Sequence, residues 1–342
     1  MLLVGGFKYV GGRTGAKLAL DVVTGELGVL ADAIVEQSLC FTGRKQTGLL
    51  EAGRQRLALA TLAHHHARPG FREEALVHEQ REELAFGLVH AHHSAVLLTW
   101  WRRWRRKRLL QSGKLDDAAF VAAVEGVRAA RALDAASRRR LRELVIVFLA
   151  EKEITGMGGF SVDDRVCYLI AVQACLLVLE LGIECYDGWT SVYVYPGSFR
   201  EADGEAEGGV FAGVAMQGGA VALSWTDAVD GAADGRDGFN PVLHEFAHKL
   251  DMADGAANGV PPLPDDMDPA EWGREFADAF AELGKDVDDG RRTRIDPYGA
   301  TNPAEFFAVL SETFFEKPQA VRKEMPAVHE LLVRYYRQDP MA

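Results

Sequence analysis

The spacing of apolar positions predicts helices in the first part of the regular region, which begins near residue 114. Apolar residues recur three and four positions apart over 116–131 and 135–151, as in amphipathic helices. A third apolar stretch begins with Ser161 and Asp164, spaced as in a capping box, and stops near Gly182, a residue typical of helix ends. The sequence therefore predicts three successive helices.

Alternating, β-branched segments after these helices predict a small sheet. They are TSVYVYPG over 190–197, VFAGVAM over 210–216 and AVALSW over 220–225, separated by acidic, glycine-rich loops. From its order along the chain, we expect AVALSW to present an edge to an extended peptide. Helical patterns follow over 239–255 and 302–317. The whole pattern predicts an α+β fold with a helical N-terminal part and a small mixed sheet.

Composition narrows the class of protein. The chain has 342 residues, of which 48% are hydrophobic and 26% charged, as expected of a soluble globular protein. Its net charge of −12 argues against extensive nucleic-acid binding. The basic segment WWRRWRRKR at 100–108 is interpreted as an exposed helix start rather than a membrane or nucleic-acid contact. The most apolar run, over 169–183, is too short for a transmembrane segment.

The cysteine pattern and the N-terminal sequence predict a cytoplasmic protein. No CxxC pair is present, and three of the four cysteines lie in or beside apolar stretches, which suits reduced thiols. The first thirty residues lack the pattern of a signal peptide. The cysteines are Cys40, Cys167, Cys175 and Cys185.

The segment FNPVLHEFAHKLDMADG carries the strongest chemical signal. Asn240 can cap a helix, and Pro241 fits its first turn. On such a helix, His244 and His248 lie one turn apart and can bind one metal ion, while Glu245 can accept a proton from metal-bound water. Composition alone predicts about 0.02 chance matches to this HExxH pattern. We therefore interpret the segment as a metal-dependent hydrolase site.

A third metal ligand has to come from elsewhere in the chain. A catalytic zinc commonly has three protein ligands, and the metzincin continuation is absent because Asp251 and Asp254 occupy its glycine and histidine positions. In the predicted helix over 302–317, Glu305 and Glu312 fall on one stripe. Spacing alone leaves these two carboxylates nearly tied.

Several longer motifs resemble those of the zinc-dependent peptidases of the Mlc titration factor A type. They are VLELGIECYDGWTSVYVYPGSF, GFNPVLHEFAHKLD, NGVPPLP and DPYGATNPAEFFAVLSETFF, and the resemblance spans about residues 100–340. The catalytic part is also similar to the peptidase domain of anthrax lethal factor, through HEF-x-H and a tyrosine seven residues before a glutamate in an AEFFA-like string. The resemblance implies a zincin-like metallopeptidase of the gluzincin type.

The resemblance also implies individual roles. It implies that His244, His248 and Glu305 bind Zn²⁺, which favours Glu305 over Glu312. It implies that Glu245 is the general base, and that the hydroxyl of Tyr298 lies near the substrate carbonyl.

Two further carboxylates are candidates to accept a hydrogen bond from a ligand imidazole, as usually happens in zinc sites. These carboxylates are Glu312 and Asp251.

Two functions follow as expectations from the resemblance. The first is hydrolysis of peptide bonds, either as an aminopeptidase or by internal cleavage. The alternative is a regulatory protein that sequesters a glucose-responsive transcriptional repressor. No direct contact with nucleic acid is expected in either case.

The expected domain organisation has one boundary. Residues 1–96 hold seven of the ten histidines and have no counterpart in the family, so we interpret them as a poorly ordered extension or the product of a start codon assigned too far upstream. Residues 97–342 are predicted to form the peptidase domain. Its helical part is expected over 97–187, and its sheet and catalytic helices over 188–342.

Overall fold

The computed structural model describes residues 99–113, 115–200, 210–234 and 238–341. The extension predicted over 1–96 and Cys40 lie outside these residues. Trp101–Ala342 is one compact unit.

The first helices follow the predicted spacing, with differences at their ends. Helix α1 lies within 99–112. The next helices are α2 (Asp117–Gly126), α3 (Arg128–Arg131), α4 (Ala135–Glu151) and α5 (Asp164–Leu177). The helix predicted over 116–131 is two helices, because the backbone is extended at Val127. Asp163, rather than Ser161, caps α5 by accepting a hydrogen bond from the backbone N–H of Val166. This helix ends five residues before Gly182, which precedes a 3₁₀ turn over Ile183–Tyr186.

Six short strands form within the described residues. Four lie in the predicted β segments, and two lie outside them, over Glu153–Gly156 and Phe199–Arg200. The six strands are β1 (Glu153–Gly156), β2 (Ser191–Tyr195), β3 (Phe199–Arg200), β4 (Val210–Phe211), β5 (Gly213–Ala215) and β6 (Val221–Ser224). The main sheet has the order β1-β2-β6-β5, in which β5 is antiparallel to β6 and the other pairs are parallel. Strands β3 and β4 form a separate antiparallel pair. The predicted α+β fold with a small mixed sheet is confirmed.

The sheet corrects two expectations. The segment 210–216 is not one strand, since β4 and β5 belong to different sheets. The expectation that residues 220–225 present a free edge is wrong, because β6 lies between β2 and β5. Within the described residues, β5 is the outer strand on this side.

The remaining helices follow the sheet. They are α6 (Trp225–Ala233), α7 (Pro241–Asp251), α8 (Pro269–Asp288), α9 (Pro303–Glu316), α10 (Pro318–Glu324) and α11 (Pro326–Tyr336), with 3₁₀ turns over Met252–Asp254 and Pro297–Ala300. Of the helices in the described residues, none combines the length and the apolarity that crossing a membrane requires.

Helix α7 is fixed by an aromatic cluster in the core. Its fully buried Phe246 packs against Tyr186, Trp189 and Phe148, with ring centroids 5.3, 5.7 and 5.7 Å away. Aromatic contacts of this kind contribute about 0.5–1.5 kcal/mol each beyond the area they bury. The polar residues of α7 are therefore held by a rigid helix.

Candidate metal centre

Two histidines of α7 share one helix face. Asn240 caps the helix by accepting a hydrogen bond from the backbone N–H of Leu243 at 3.0 Å, and Pro241 occupies the first turn. His244 and His248 are four residues apart, and their ring centroids are separated by 4.9 Å.

Helix α9 brings a carboxylate to both rings. Asn302 caps α9 by accepting from the backbone N–H groups of Ala304 and Glu305, each at 3.0 Å. Glu305 Oε2 lies 3.0 Å from His244 Nε2 and 3.2 Å from His248 Nε2. One ligand atom from each of these three residues falls within 4.8 Å of the others.

The electrostatics of this cluster suit a cation. Burial opposes ionisation of Glu305, but its hydrogen bonds with His244 and His248 outweigh burial and lower its pKa to about 2. Burial likewise opposes protonation of His244, but hydrogen bonds to Glu305 and Glu312 raise its pKa to about 10. The carboxylates thus attract positive charge to this point. Two imidazole nitrogens and one carboxylate oxygen form a donor set that fits Zn²⁺.

Glu245 packs against the sheet, and its carboxyl group also interacts electrostatically with the histidine pair. It is buried, and an added Cβ at Gly213 of β5 would lie 2.5 Å from Glu245 Cγ. Burial raises the pKa of Glu245 to about 7. A carboxyl group with a pKa near neutrality can both accept and return a proton.

Tyr298 borders the cluster from the 3₁₀ turn before α9. Asp296 accepts a hydrogen bond from the backbone N–H of Tyr298 at 2.8 Å, and the tyrosine ring centroid lies 6.2 Å from that of His244. The residue is 50% exposed. Burial of part of its side chain, together with the charges of Glu305 and Glu245, raises its pKa, so the hydroxyl keeps its proton.

Glu312 joins His244 to a buried polar network. Its Oε2 lies 3.2 Å from His244 Nδ1, and its Oε1 accepts from the backbone N–H of Asn240. The Asn240 side-chain amide donates to Gln173 Oε1 at 2.9 Å and to Glu316 Oε1 at 3.0 Å. Burial raises the pKa of Glu312. The Asn-Pro pair reveals Asn240 as a cap, but no local signal identifies its contacts with α5 and α9.

Asp251, the other candidate partner of an imidazole, holds a loop. Its Oδ2 accepts from the backbone N–H of Gly259 at 2.9 Å, and burial raises its pKa to about 6. Within the described residues, Asp251 Oδ1 and His248 Nδ1 are buried without hydrogen-bond partners. The structure therefore places Glu312, but not Asp251, in hydrogen-bonding contact with a histidine of the cluster.

No sequence motif pointed to two buried lysines, Lys249 of α7 and Lys152 directly after α4. Lys249 donates to the backbone oxygens of Met216 and Gly219 at 2.9 and 3.0 Å. Lys152 donates to the backbone oxygens of Tyr186 and Trp189, each at 2.6 Å. The two Nζ atoms lie 4.8 and 3.8 Å from the Trp189 ring centroid, respectively. Burial lowers the pKa of each lysine to about 8.

Comparisons with known proteins show the family to which the chain belongs. A sequence model of the family described as glucose-regulated metallo-peptidase M90 matches residues 101–337. The chain belongs to this family, which supports a metallopeptidase and confirms the resemblance drawn from the motifs.

The chain is also similar to named proteins over most of their length. Mlc titration factor A of Salmonella agona is 38% identical over 219 residues, which cover 61% of this chain and 82% of the relative. The same protein of Salmonella typhi shows the same identity and coverage. The protein slr2042 of Synechocystis sp., described as uncharacterized, is 37% identical over 252 residues, covering 70% of this chain and 90% of the relative.

Proposed function

We propose that the protein is a zinc-dependent peptidase of the gluzincin type. His244, His248 and Glu305 hold the ion, and Glu245 is the general base. The observation that carries this proposal is the approach of both Nε2 atoms to one Glu305 oxygen, at 3.0 and 3.2 Å. Family membership over residues 101–337 supports it independently.

Each residue of the site has a separate proposed role in hydrolysis. A zinc ion held by these residues would act as a Lewis acid and would activate a water molecule as the nucleophile. Glu245 accepts the proton of the attacking water and returns it to the leaving amine. Tyr298 donates a hydrogen bond to the substrate oxygen as negative charge develops there. Glu312 fixes the orientation of His244 through Nδ1.

The outer strand β5 supports a peptide as the substrate. Met216 N donates to Ala220 O, and Ser224 N donates to Ala212 O, so residues 212, 214 and 216 face β6. The backbone groups of Gly213 and Ala215 consequently point away from β6. An extended peptide can pair with them, next to Glu245, whether it is cut internally or by an aminopeptidase mode.

The cytoplasmic location predicted from the sequence remains part of the proposal. Cys167, Cys175 and Cys185 are free thiols, as expected in a reducing compartment.

The test compares metal content and hydrolysis in four full-length proteins without a histidine tag. They are the wild type, His244→Ala, Glu245→Gln and the control His329→Ala, which removes a buried helical histidine outside the cluster. All four contain the N-terminal histidines, so adventitious binding there cancels. Metal is measured by mass spectrometry, and hydrolysis with a library of unstructured peptides, with and without a chelator.

We expect one zinc per chain in the wild type, Glu245→Gln and His329→Ala, and loss of that ion in His244→Ala. Hydrolysis is expected in the wild type and the control, and should disappear with chelator or in Glu245→Gln. Full hydrolysis by Glu245→Gln would refute its assignment as the base. Equal zinc content in His244→Ala and His329→Ala would refute the metal site.

The second candidate function is binding of a transcriptional repressor. Its support is the name Mlc titration factor A carried by relatives that are 38% identical. We propose that a surface of this chain sequesters a glucose-responsive repressor, independently of hydrolysis. Co-purification of a repressor with both the wild type and Glu245→Gln would support binding, and its failure with both would refute it.

A further inference from the structure

We infer that Lys249 is a positioning residue that holds strand β5 against the Glu245 carboxylate. The inference rests on the proposed peptide hydrolysis, in which Glu245 acts on a peptide paired with β5. Its argument uses two contacts between helix α7 and the β5–β6 hairpin.

The first contact is the hydrogen bonding of Lys249 to the turn of the hairpin. Lys249 is 3% exposed, and its ammonium group donates to the backbone oxygens of Met216 and Gly219 at 2.9 and 3.0 Å. These two oxygens flank the turn between β5 and β6. Gln217, in the same turn, donates from its side chain to the backbone oxygen of Gly255. The turn is thereby tied to α7 and to the residues just after it.

The second contact lies at the start of β5. Gly213 packs on Glu245 so closely that an added Cβ would be 2.5 Å from Glu245 Cγ and 2.7 Å from Oε1. Real Cβ atoms essentially never approach another heavy atom so closely, so a larger residue requires Glu245 or β5 to move. Glycine at this position allows the backbone of β5 to lie beside the carboxylate.

The two contacts share one face of α7. Glu245 and Lys249 are four residues apart and therefore project to the same side, toward the hairpin. His244 and His248 are also four residues apart and face Glu305 of α9 instead. One face of α7 thus binds the ion, and the adjacent face sets the distance and register of β5 relative to the base. A peptide paired with β5 is therefore held at a fixed distance and register relative to Glu245.

The test replaces Lys249 and uses Lys152 as the matched control. Lys249→Met keeps the length of the side chain and removes both hydrogen bonds to the hairpin turn. Lys152→Met likewise removes two hydrogen bonds to backbone oxygens beside Trp189, but those oxygens belong to Tyr186 and Trp189. The control therefore matches burial, charge and lost hydrogen bonds without touching β5.

Hydrogen exchange of the full-length proteins, followed by mass spectrometry, reports the position of the hairpin. We expect faster exchange over 213–220 in Lys249→Met and wild-type exchange there in Lys152→Met. We also expect one zinc per chain in both. Exchange in the hairpin that is equal for the two variants would overturn the inference, whatever the protein hydrolyses.

Peptide kinetics report the consequence for the reaction. Because misplacement by about 1 Å can lower a rate about 100-fold, we expect kcat in Lys249→Met to fall at least about 10-fold with zinc retained. Wild-type kcat in Lys249→Met would overturn the positioning role. Absence of hydrolysis by the wild type would refute the proposed function instead, and hydrogen exchange would still decide whether Lys249 holds β5.

Gly213→Ala perturbs the second contact, which is between β5 and Glu245, and so tests the register of β5 independently of Lys249. It leaves Lys249 and the zinc ligands unchanged and forces the Glu245 carboxylate and β5 apart. We expect zinc to be retained, kcat to fall and the acid limb of the pH profile to move, since the surroundings of the base change. A wild-type kcat and pH profile in Gly213→Ala would contradict the inference even if Lys249→Met failed to fold.

Discussion

Replacement of Glu312 by glutamine tests whether Glu312 orients His244 for metal binding. Glu312 offers two acceptor oxygens, one lying 3.2 Å from His244 Nδ1 and the other accepting from the backbone N–H of Asn240. A glutamine side chain of the same shape has one acceptor and one donor. In Glu312→Gln, one of the two contacts therefore places two hydrogen-bond donors opposite each other. The negative charge next to His244 is also lost.

The size of the effect follows from burial. Loss of a group that supports a metal ligand typically weakens metal binding about 10- to 100-fold, which is about 1.4–2.7 kcal/mol. Glu312 is 4% exposed, so water cannot replace the lost interaction or screen the lost charge. We therefore expect a weakening of zinc binding near 100-fold.

The assay is competition for zinc against a chromophoric chelator at fixed pH, with folding checked by circular dichroism. Asp251→Asn is the matched control, because Asp251 is also buried and acidic but accepts its hydrogen bond from Gly259. We expect a much smaller loss of zinc affinity in Asp251→Asn. Zinc affinity in Glu312→Gln within twofold of the wild type would refute the role given to Glu312.

Three further predictions concern a tyrosine beside the candidate site, a loop glycine and a buried lysine. Tyr298→Phe should lower kcat about 10²–10³-fold with little change in stability, because the side chain is half exposed and its hydroxyl is the proposed donor; unchanged kcat would contradict this. Gly259→Ala should destabilise the fold by at least about 2 kcal/mol in urea unfolding, since φ is +76° and an added Cβ would lie 2.3 Å from the backbone oxygen of Pro303; a loss below about 0.5 kcal/mol would refute it. The pKa of Lys152 is about 8 in the folded protein and 10.5 when unperturbed, so between these values the unfolded chain binds more protons and stability rises with pH. The wild type should therefore gain about 1–2 kcal/mol relative to Lys152→Met between pH 7.5 and pH 9.5, and a constant difference would contradict this.

Local patterns in the sequence were sufficient to predict the helices that hold the candidate site residues. The spacing of apolar residues and the Asn-Pro pairs at 240–241 and 302–303 predicted α7 and α9, because capping and amphipathic spacing act within a few residues. The same spacing predicted that His244 and His248 share a face.

Features that depend on distant pairing could not be predicted in this way. Strand β1 has four residues and no alternation, and its place beside β2 is fixed by tertiary packing. The outer position of β5, rather than β6, depends on strand order, which no local pattern encodes.

The candidate site likewise combines features that local sequence patterns predict with features that depend on tertiary packing. Glu305 and Glu312 lie on one stripe of α9 and cannot be separated by spacing. In the structure α9 crosses α7 so that Glu305 meets the two Nε2 atoms and Glu312 meets the Nδ1 of His244. The contacts of Lys249 and Gly213 join residues that are 30 to 33 positions apart, and a single sequence contains no signal for them.

Anomalous diffraction at the zinc absorption edge, from crystals of the full-length protein, tests the central claim most directly. The account predicts one anomalous peak within about 2.0–2.2 Å of His244 Nε2, His248 Nε2 and a Glu305 carboxylate oxygen. A zinc-loaded crystal with no peak between these three residues, or with the peak bound by other side chains, would contradict the account.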